Sequence, residues 1–156
     1  MELKGKTILI TGGAAGIGLE ATKQFLANGA NVIITGRNQA KLDAAKKSHP
    51  QITTIQSDVA NANDAQLLYD QVKALGGIDI LYNNAGVMSH PKNLGIANEK
   101  HYEVAKYEID INYLGVIRLN NLFMDMLKSR KEAAIINTSS ILSYVPFNLS
   151  PSYAAS

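Results

Sequence analysis

The sequence predicts an α/β fold of the Rossmann type, a doubly wound parallel sheet with helices on both faces. Short apolar runs with the length of buried strands alternate along the chain with stretches of helical spacing, which is the pattern of successive βαβ units. A glycine-rich turn joins the first of these runs to the first helix. Because crossovers between parallel strands are right-handed, the alternation favours a doubly wound sheet, of which this chain supplies about five strands.

The predicted elements follow one another without a linker, a repeat array or a low-complexity segment. Strands are predicted at 7–11, 31–35, 52–56, 78–83 and 133–138, and helices at roughly 16–28, 38–48, 62–75 and 101–129. We therefore expect residues 1–156 to form one dinucleotide-binding domain, incomplete at its C-terminal end.

Composition argues against several classes of partner. The chain is 46% hydrophobic and 18% charged, and its net charge of +2 comes without a basic cluster, so neither nucleic acid nor a membrane is expected as a partner. The absence of cysteine excludes disulfides and fits a reducing compartment. The segment MELKGKTILITGG is too weakly apolar for a signal peptide or a membrane span, so we expect a cytoplasmic protein.

The three histidines give no indication of a metal site. His49, His90 and His101 have neither the spacing of metal ligands nor an accompanying pattern of carboxylates. We expect all three at the surface and predict no metal.

The segment ILITGGAAGIGLE predicts a phosphate-binding turn between the first strand and the first helix. Gly12 permits the tight turn, Gly16 lets the backbone approach a pyrophosphate, and Gly18 lets the helix pack close to the strand. The N-terminus of the helix offers free N–H groups to the phosphates. An ordinary βα turn is the alternative. The candidate cofactor-binding residues of this loop are Gly12, Gly13, Ala15, Gly16, Ile17 and Gly18.

The end of the second strand favours NADP(H) over NAD(H). An acidic residue there would bind the ribose 2′-hydroxyl of NAD, whereas this sequence has Gly36 followed by Arg37. An arginine can form a forked contact with a 2′-phosphate. The glycine loop has Ala14 and Ala15 and no second basic residue, so NAD(H) also stays possible. A solvent-facing arginine in a turn is the alternative.

Several motifs resemble those of the short-chain dehydrogenase/reductase family. The glycine spacing T-G-x-x-x-G-x-G has the family's form, and NNAG (83–86), DINYLGV (110–116), IINTSSI (135–141) and SYAAS (152–156) resemble its later motifs in the same order. The segments TILITGGAAGIGLE, VIITGRN, EAAIINTSS and VPFNLSPSYAAS carry a closer resemblance to the bacterial DltE-type oxidoreductases. The resemblance covers the whole chain.

This resemblance implies an oxidoreductase that transfers hydride between a nicotinamide cofactor and a small-molecule carbonyl or alcohol. The reaction also moves a proton, for which Tyr153 is the implied donor or acceptor. A free tyrosine has a pKa of about 10, which is too high for efficient transfer near neutrality unless a cation lies nearby. In the family that cation is a lysine four residues after the tyrosine, one position beyond Ser156.

The resemblance also implies roles for two other catalytic residues. Ser140, thirteen residues before Tyr153, would hydrogen-bond the substrate oxygen, and Asn112 would help hold a proton relay. Ser139 is less suited because it lies fourteen residues before the tyrosine. The alternatives are a surface tyrosine after a proline turn, serines that cap a strand end, and an asparagine in a buried structural hydrogen bond.

The remaining candidate cofactor contacts follow the third and fourth strands. Asp58 resembles the family's adenine-contacting acid and is also placed to cap the next helix, and the two roles are compatible. By the same resemblance, the other contacts are Val59, Asn84, Ala85 and Gly86.

The family continues well beyond the tyrosine motif, so we expect residues 1–156 to be the N-terminal part of a longer reductase. This part alone is expected to be inactive, with the fifth strand at an open edge of the sheet. The stretch at 112–127 is apolar on more than one side of a helix, and we expect one side to pack on the sheet. The other side predicts either core under a loop or an interface between subunits, so we expect the full-length protein to be a homo-oligomer, either a dimer or a tetramer. A non-catalytic nucleotide-binding protein is the alternative if the chain naturally ends at Ser156.

Overall fold

A five-stranded parallel sheet forms the centre of the protein in a computed structural model, which describes residues 1–89, 100–145 and 151–156. The strand order is β3-β2-β1-β4-β5, and each neighbouring pair is parallel. The strands are β1 (Thr7–Thr11), β2 (Asn31–Gly36), β3 (Thr53–Gln56), β4 (Ile80–Asn83) and β5 (Ala134–Asn137). The predicted Rossmann-type sheet is confirmed, although β3, β4 and β5 are each shorter than predicted.

Helices follow the strands in the predicted alternation. They are α1 (Gly16–Ala27), α2 (Gln39–Ser48), α3 (Ala62–Ala74), α4 (His101–Ile109), α5 (Gly115–Lys128) and α6 (Pro151–Ala154). A π-helical segment, Asp110–Leu114, joins α4 to α5, and a 3₁₀ turn, Ile141–Ser143, follows β5. Within the described ranges, no helix has the length and apolar character needed to cross a membrane.

The core divides into two layers because both faces of the sheet are covered. Side chains of successive residues in a strand point to opposite faces, so Ile8 and Ile10 of β1 join one buried cluster and Leu9 joins the other. The Ile8 layer includes Leu42 of α2, and the Leu9 layer includes Phe123 of α5. Strands buried on both faces explain why the sequence shows near-continuous apolar runs.

The helix predicted at 101–129 is observed as one uninterrupted helical stretch over residues 101–128, in which the π-helical segment separates α4 from α5. The π segment contains Asn112, and wide turns of this kind frequently occur at functional sites. Gly115 follows it, where a Cβ would lie only 3.0 Å from Val59 Cγ2. Lys106 and Asp110 form an exposed ion pair across the start of the segment, and the hydrogen bond to Asp110 raises the pKa of Lys106 above its ordinary value.

The alternative role of Asp58 as the cap of the next helix is wrong, since Asn61 caps α3. The Asn61 side chain accepts hydrogen bonds from the backbone N–H of Asn63 at 2.9 Å and of Asp64 at 3.2 Å. Asp58 lies one turn earlier, where its Oδ1 accepts the N–H of Ala60 at 3.0 Å. A cap must lie directly before the helix to reach its free N–H groups, and the turn after β3 places Asp58 too far away.

The histidines differ from the surface prediction in one case. His101 is exposed, but His49 is half-buried at the end of α2, and its Nδ1 is shielded from water without a hydrogen-bond partner. His90 lies outside the described residues. Among the described residues, His, Asp and Glu side chains form no cluster that could hold a metal ion.

Gly18→Ala should destabilise the fold, because a Cβ there would lie 2.3 Å from the Gly12 carbonyl oxygen and 2.5 Å from Asn84 Nδ2. Helix α1 would have to move away, and we expect the free energy of unfolding to fall by about 1–3 kcal/mol in urea titrations. Gly36→Ala is the matched control, since its Cβ would meet nothing within 4 Å. An unchanged unfolding midpoint for Gly18→Ala would contradict this packing.

Candidate functional site

The candidate site lies where the order of the strands reverses. The chain moves outward from β1 to β2 and β3, then returns to place β4 on the other side of β1. Ligands of open α/β sheets bind at such a point, beyond the carboxyl ends of the strands. A cleft of about 530 Å³ lies there. Among the predicted site residues, those that line it are Gly12, Ala15, Gly16, Ile17, Arg37, Asp58, Val59, Asn84, Ala85, Gly86, Asn112, Ser140 and Tyr153.

Gly13 and Gly18 do not line the cleft, and their contact with the cofactor stays a prediction. Both are buried beneath the loop. A Cβ on Gly13 would lie 2.6 Å from Ile34 Cγ2, and one on Gly18 would overlap the Gly12 carbonyl oxygen. These two glycines bring the turn and α1 against the sheet, which places the other loop residues at the cleft.

The N-terminus of α1 faces the cleft without a cap. Ala15 occupies the cap position and its side chain accepts no hydrogen bond, and the first turn contains no acidic residue. Gly16 has a φ of +51°, with nothing within 4 Å of where a Cβ would lie, and Ile17 is 67% exposed. The free N–H groups and the positive end of the helix dipole therefore fit a bound anion such as a pyrophosphate.

Three hydrogen bonds connect Thr11, at the start of the glycine loop, to the loop after β4. The buried Thr11 hydroxyl accepts hydrogen bonds from the backbone N–H groups of Asn84 and Ala85, both at 2.9 Å. Asn84 Nδ2 donates to the carbonyl oxygen of Thr11 at 3.0 Å. Sequence reasoning gave Thr11 no role, although a threonine at the end of a buried apolar strand is a signal for a hydrogen-bonding function.

Arg37 directly follows β2 and lies in the cleft between Asp58 and Tyr107. Its Nη1 is 3.9 Å from Asp58 Oδ2, and its Cζ lies 5.6 Å from the ring centre of Tyr107. The backbone carbonyl of Arg37 accepts a hydrogen bond from Gln56 Nε2 at 2.9 Å. The arginine therefore lines the cleft with its guanidinium partly paired.

Lys41 is a second cation at this end that sequence reasoning missed. It lies in the first turn of α2 and lines the cleft with Arg37 and Asn38. The Asn38 side chain caps α2 by accepting the N–H of Lys41 at 3.0 Å. The sequence signal was a second cation only four residues after Arg37, at the start of the helix that follows β2.

The π-helical segment places Asn112 beside the loop after β4. Its Nδ2 donates to the carbonyl oxygen of Val87 at 2.8 Å and to Ser156 Oγ at 2.9 Å. Its Oδ1 accepts the N–H of Val87 at 2.8 Å. These bonds correspond to the structural role that the sequence left open, and Asn112 also lines the cleft.

Ser140 and Tyr153 face the same end of the cleft from two elements. Ser140 precedes the 3₁₀ turn, and its Oγ accepts the N–H of Leu142 at 3.2 Å. Tyr153 lies in α6 and is half-buried. Ser139 and Ser143 also line the cleft, with their hydroxyl oxygens 3.5 Å apart.

The model of the family described as short chain dehydrogenase matches residues 6–156. The chain belongs to the short-chain dehydrogenase family. It is 38% identical to the oxidoreductase DltE of Bacillus subtilis, over 99% of this chain and 61% of that protein. It is 31% identical to 3beta-hydroxysteroid dehydrogenase 1 of Eggerthella lenta, over 99% of this chain and 60% of that protein. The predicted family and its DltE-type subgroup are confirmed.

Solved structures of short-chain dehydrogenases share the fold. The chain resembles one from Burkholderia phymatum in complex with NAD, with a TM-score of 0.87 and 25% identity over 99% of this chain and 56% of that one. A short-chain dehydrogenase from Streptomyces avermitilis gives 0.86 and 25%, over 97% and 55%. The chain therefore spans 55% to 61% of the length of the relatives and solved structures named above.

Proposed function

We propose that the full-length protein is an NADP(H)-dependent oxidoreductase that transfers hydride between nicotinamide and a carbonyl or alcohol substrate. The observation that carries this proposal is one continuous cleft. It runs from Arg37 and Lys41, past the uncapped N-terminus of α1, to Ser140 and Tyr153. Cations suited to phosphate at one end and hydroxyl groups suited to a carbonyl oxygen at the other match the two halves of a dinucleotide reductase.

Each part of the cleft has a role in this proposal. The free N–H groups at Gly16 and Ile17 would hold the pyrophosphate, and the loop Asn84–Gly86 would lie against the rest of the cofactor. The bound cofactor supplies or accepts the hydride. Asp58 and Val59 lie beside Arg37 and would border the adenine.

The hydroxyl groups would manage the charge on the substrate oxygen. Ser140 would donate a hydrogen bond to that oxygen, and Tyr153 would give it a proton during reduction or remove one during oxidation. Asn112 holds Val87 and Ser156 in place at this end, and we include it in the proposal as part of a proton relay.

The NADP(H) preference rests on the charges at the end of β2. A 2′-phosphate there would meet the guanidinium of Arg37 and the ammonium of Lys41, both of which line the cleft. Asp58, 3.9 Å from Arg37, would repel the phosphate if the arginine were absent. Both effects make NADPH binding depend on Arg37 more strongly than NADH binding does.

Arg37→Ala should therefore weaken NADPH binding relative to NADH by about 1–2 kcal/mol, or roughly 5- to 30-fold in Kd. Lys41→Ala should act in the same direction with a smaller effect. Fluorescence titration of the full-length protein with both cofactors measures the ratio. Lys47→Ala, on the exposed part of the same helix, is the matched control. The same NADPH to NADH ratio in Arg37→Ala as in the wild type would contradict the proposed contact.

Tyr153→Phe should lower carbonyl reduction by the full-length enzyme by at least about 10²-fold, because it removes the proton donor and keeps the ring. NADPH binding should change by less than about twofold, since the phosphate contacts lie elsewhere in the cleft. Steady-state kinetics with a panel of small aldehydes and ketones tests this. Turnover near that of the wild type, with hydride transfer shown to be rate-limiting by a deuterium isotope effect, would exclude Tyr153 as the acid.

The alternative of a non-catalytic nucleotide-binding protein is not favoured. It would leave Ser140 and Tyr153 without a function at the end of the cleft, and the relatives named above are oxidoreductases or dehydrogenases. The kinetic panel also decides between the two functions.

We further propose that the full-length protein is a homo-oligomer. The buried residues of α5 recur at every fourth position, while Tyr113, Leu114 and Ile117 form an exposed apolar face nearby. A second copy would cover this face. Sedimentation velocity should show an oligomer that Ile117→Lys shifts toward the monomer, and a wild-type monomer at micromolar concentration would contradict the proposal.

A further inference from the structure

A buried carboxyl group lies outside every motif considered so far. Glu108, in the last turn of α4, is only 1% exposed. Glutamate is rarely buried to this extent, because removing its carboxylate from water is costly unless hydrogen bonds replace the lost hydration. A buried position on this helix could hold an aliphatic side chain at no such cost, so the contacts of the carboxyl group need an explanation.

The two carboxyl oxygens connect two separate segments of the site. Oε1 accepts a hydrogen bond from the backbone N–H of Ser89 at 2.6 Å. Oε2 accepts one from the hydroxyl of Ser152. Ser89 belongs to the loop after β4 that begins with Asn84, and Ser152 immediately precedes Tyr153. Glu108 thus holds the loop that lines the cleft and the segment that carries the tyrosine at a fixed separation.

Asn112 makes a parallel connection four residues further along. It bonds Val87 of the same loop and Ser156 of the same C-terminal segment. Ser152 and Ser156 are also four residues apart, and Tyr153 lies between them. The stretch from α4 into the π-helical segment is therefore bonded to the C-terminal segment at two points, Glu108 to Ser152 and Asn112 to Ser156, and Tyr153 lies between these points in the chain.

We propose that Glu108 is a positioning residue that sets the place of Tyr153 through Ser152. This inference rests on the proposed function, because it assigns Tyr153 the proton transfer. A general acid must lie within about 2.6–3.2 Å of the atom it protonates. A displacement of about 1 Å in such a group can lower the rate about 10²-fold. The hydrogen bond from Ser152 to the buried carboxyl group restricts the tyrosine segment more than apolar packing does, since apolar contacts have no fixed direction.

The test compares Glu108→Leu and Glu108→Gln in the full-length protein. Leucine fills the space without an acceptor, whereas glutamine keeps an oxygen for the Ser89 N–H and an amide that can donate to Ser152 Oγ. We expect Glu108→Leu to lower kcat by about 10- to 100-fold, with KM and the Kd for NADPH within about threefold of wild type. Glutamine should restore most of kcat. Glu103→Leu, on the exposed part of the same helix, is the matched control and should keep wild-type kinetics.

Substitutions of Ser152, the donor, test the same hydrogen bond to Glu108. Ser152→Ala removes the donor and should lower kcat in the direction of Glu108→Leu, while Ser152→Thr keeps a hydroxyl and should retain activity. Glu108→Leu and Ser152→Ala together should lower kcat no further than Glu108→Leu alone, because both remove one interaction. If Glu108→Leu fails to fold, the Ser152 pair decides the question. Wild-type kcat in Ser152→Ala, or equal losses in Ser152→Ala and Ser152→Thr, would overturn the proposal.

Hydrogen exchange separates a failure of this inference from a failure of the proposed function. In Glu108→Leu, or in Ser152→Ala, we expect amides of residues 84–89 and 151–156 to exchange faster than in wild type while those of β1 and α1 stay unchanged. This holds whatever the protein catalyses. If Tyr153→Phe retains full turnover but these segments exchange faster, the function is wrong and the link stands. Wild-type exchange in both segments would overturn the link itself.

Discussion

The site depends on the hydrogen bonds that connect the end of β1 to the loop after β4. The Thr11 hydroxyl accepts two backbone N–H groups from the loop after β4, and the carbonyl oxygen of Thr11 accepts the side-chain amide of Asn84. These bonds draw the two loops so close that a Cβ on Gly18 would meet both Gly12 and Asn84. A side chain larger than glycine therefore does not fit at Gly18, the third residue of α1, and the close packing of α1 leaves its free N-terminus facing the cleft.

Much of the fold was predictable because its pattern is simple, and the parts that were not depend on details of single turns. Strands buried on both faces give continuous apolar runs, and a glycine turn marks the first crossover. The π-helical segment was not predictable, since Leu119, Phe123 and Leu127 keep a spacing of four after it and the apolar pattern runs on. The cap of α3 was missed because Asp58 and Asn61 are both good cap residues, and only the path of the turn selects between them.

The candidate site, like the fold, was predictable from the sequence only in part. Residues in recognisable motifs, such as Asn112 and Tyr153, line the cleft, and their catalytic roles stay predictions. Lys41 was missed because a lysine in a charged helical stretch looks like part of a solvated face. Glu108 was missed for a similar reason, since charged residues, Lys106 and Asp110, lie two positions away on either side and its burial arises from packing against the C-terminal segment. Burial of a charged side chain is a property of the tertiary structure that spacing does not reveal.

The two ends of the cleft are built by different means, which under the proposed function would separate cofactor binding from catalysis. The phosphate end uses backbone N–H groups and the dipole of α1, and these depend on β1, α1 and β4, which all lie before residue 90. The tyrosine end uses side-chain hydrogen bonds from α4 and the π-helical segment to the segment at 151–156. Backbone groups in a packed helix keep their direction when a distant side chain changes, whereas a side-chain bond is lost when either partner is replaced. Under the proposals made above, changes at Glu108 or Ser152 would therefore act on the placement of the tyrosine and leave the binding of the cofactor phosphates largely intact.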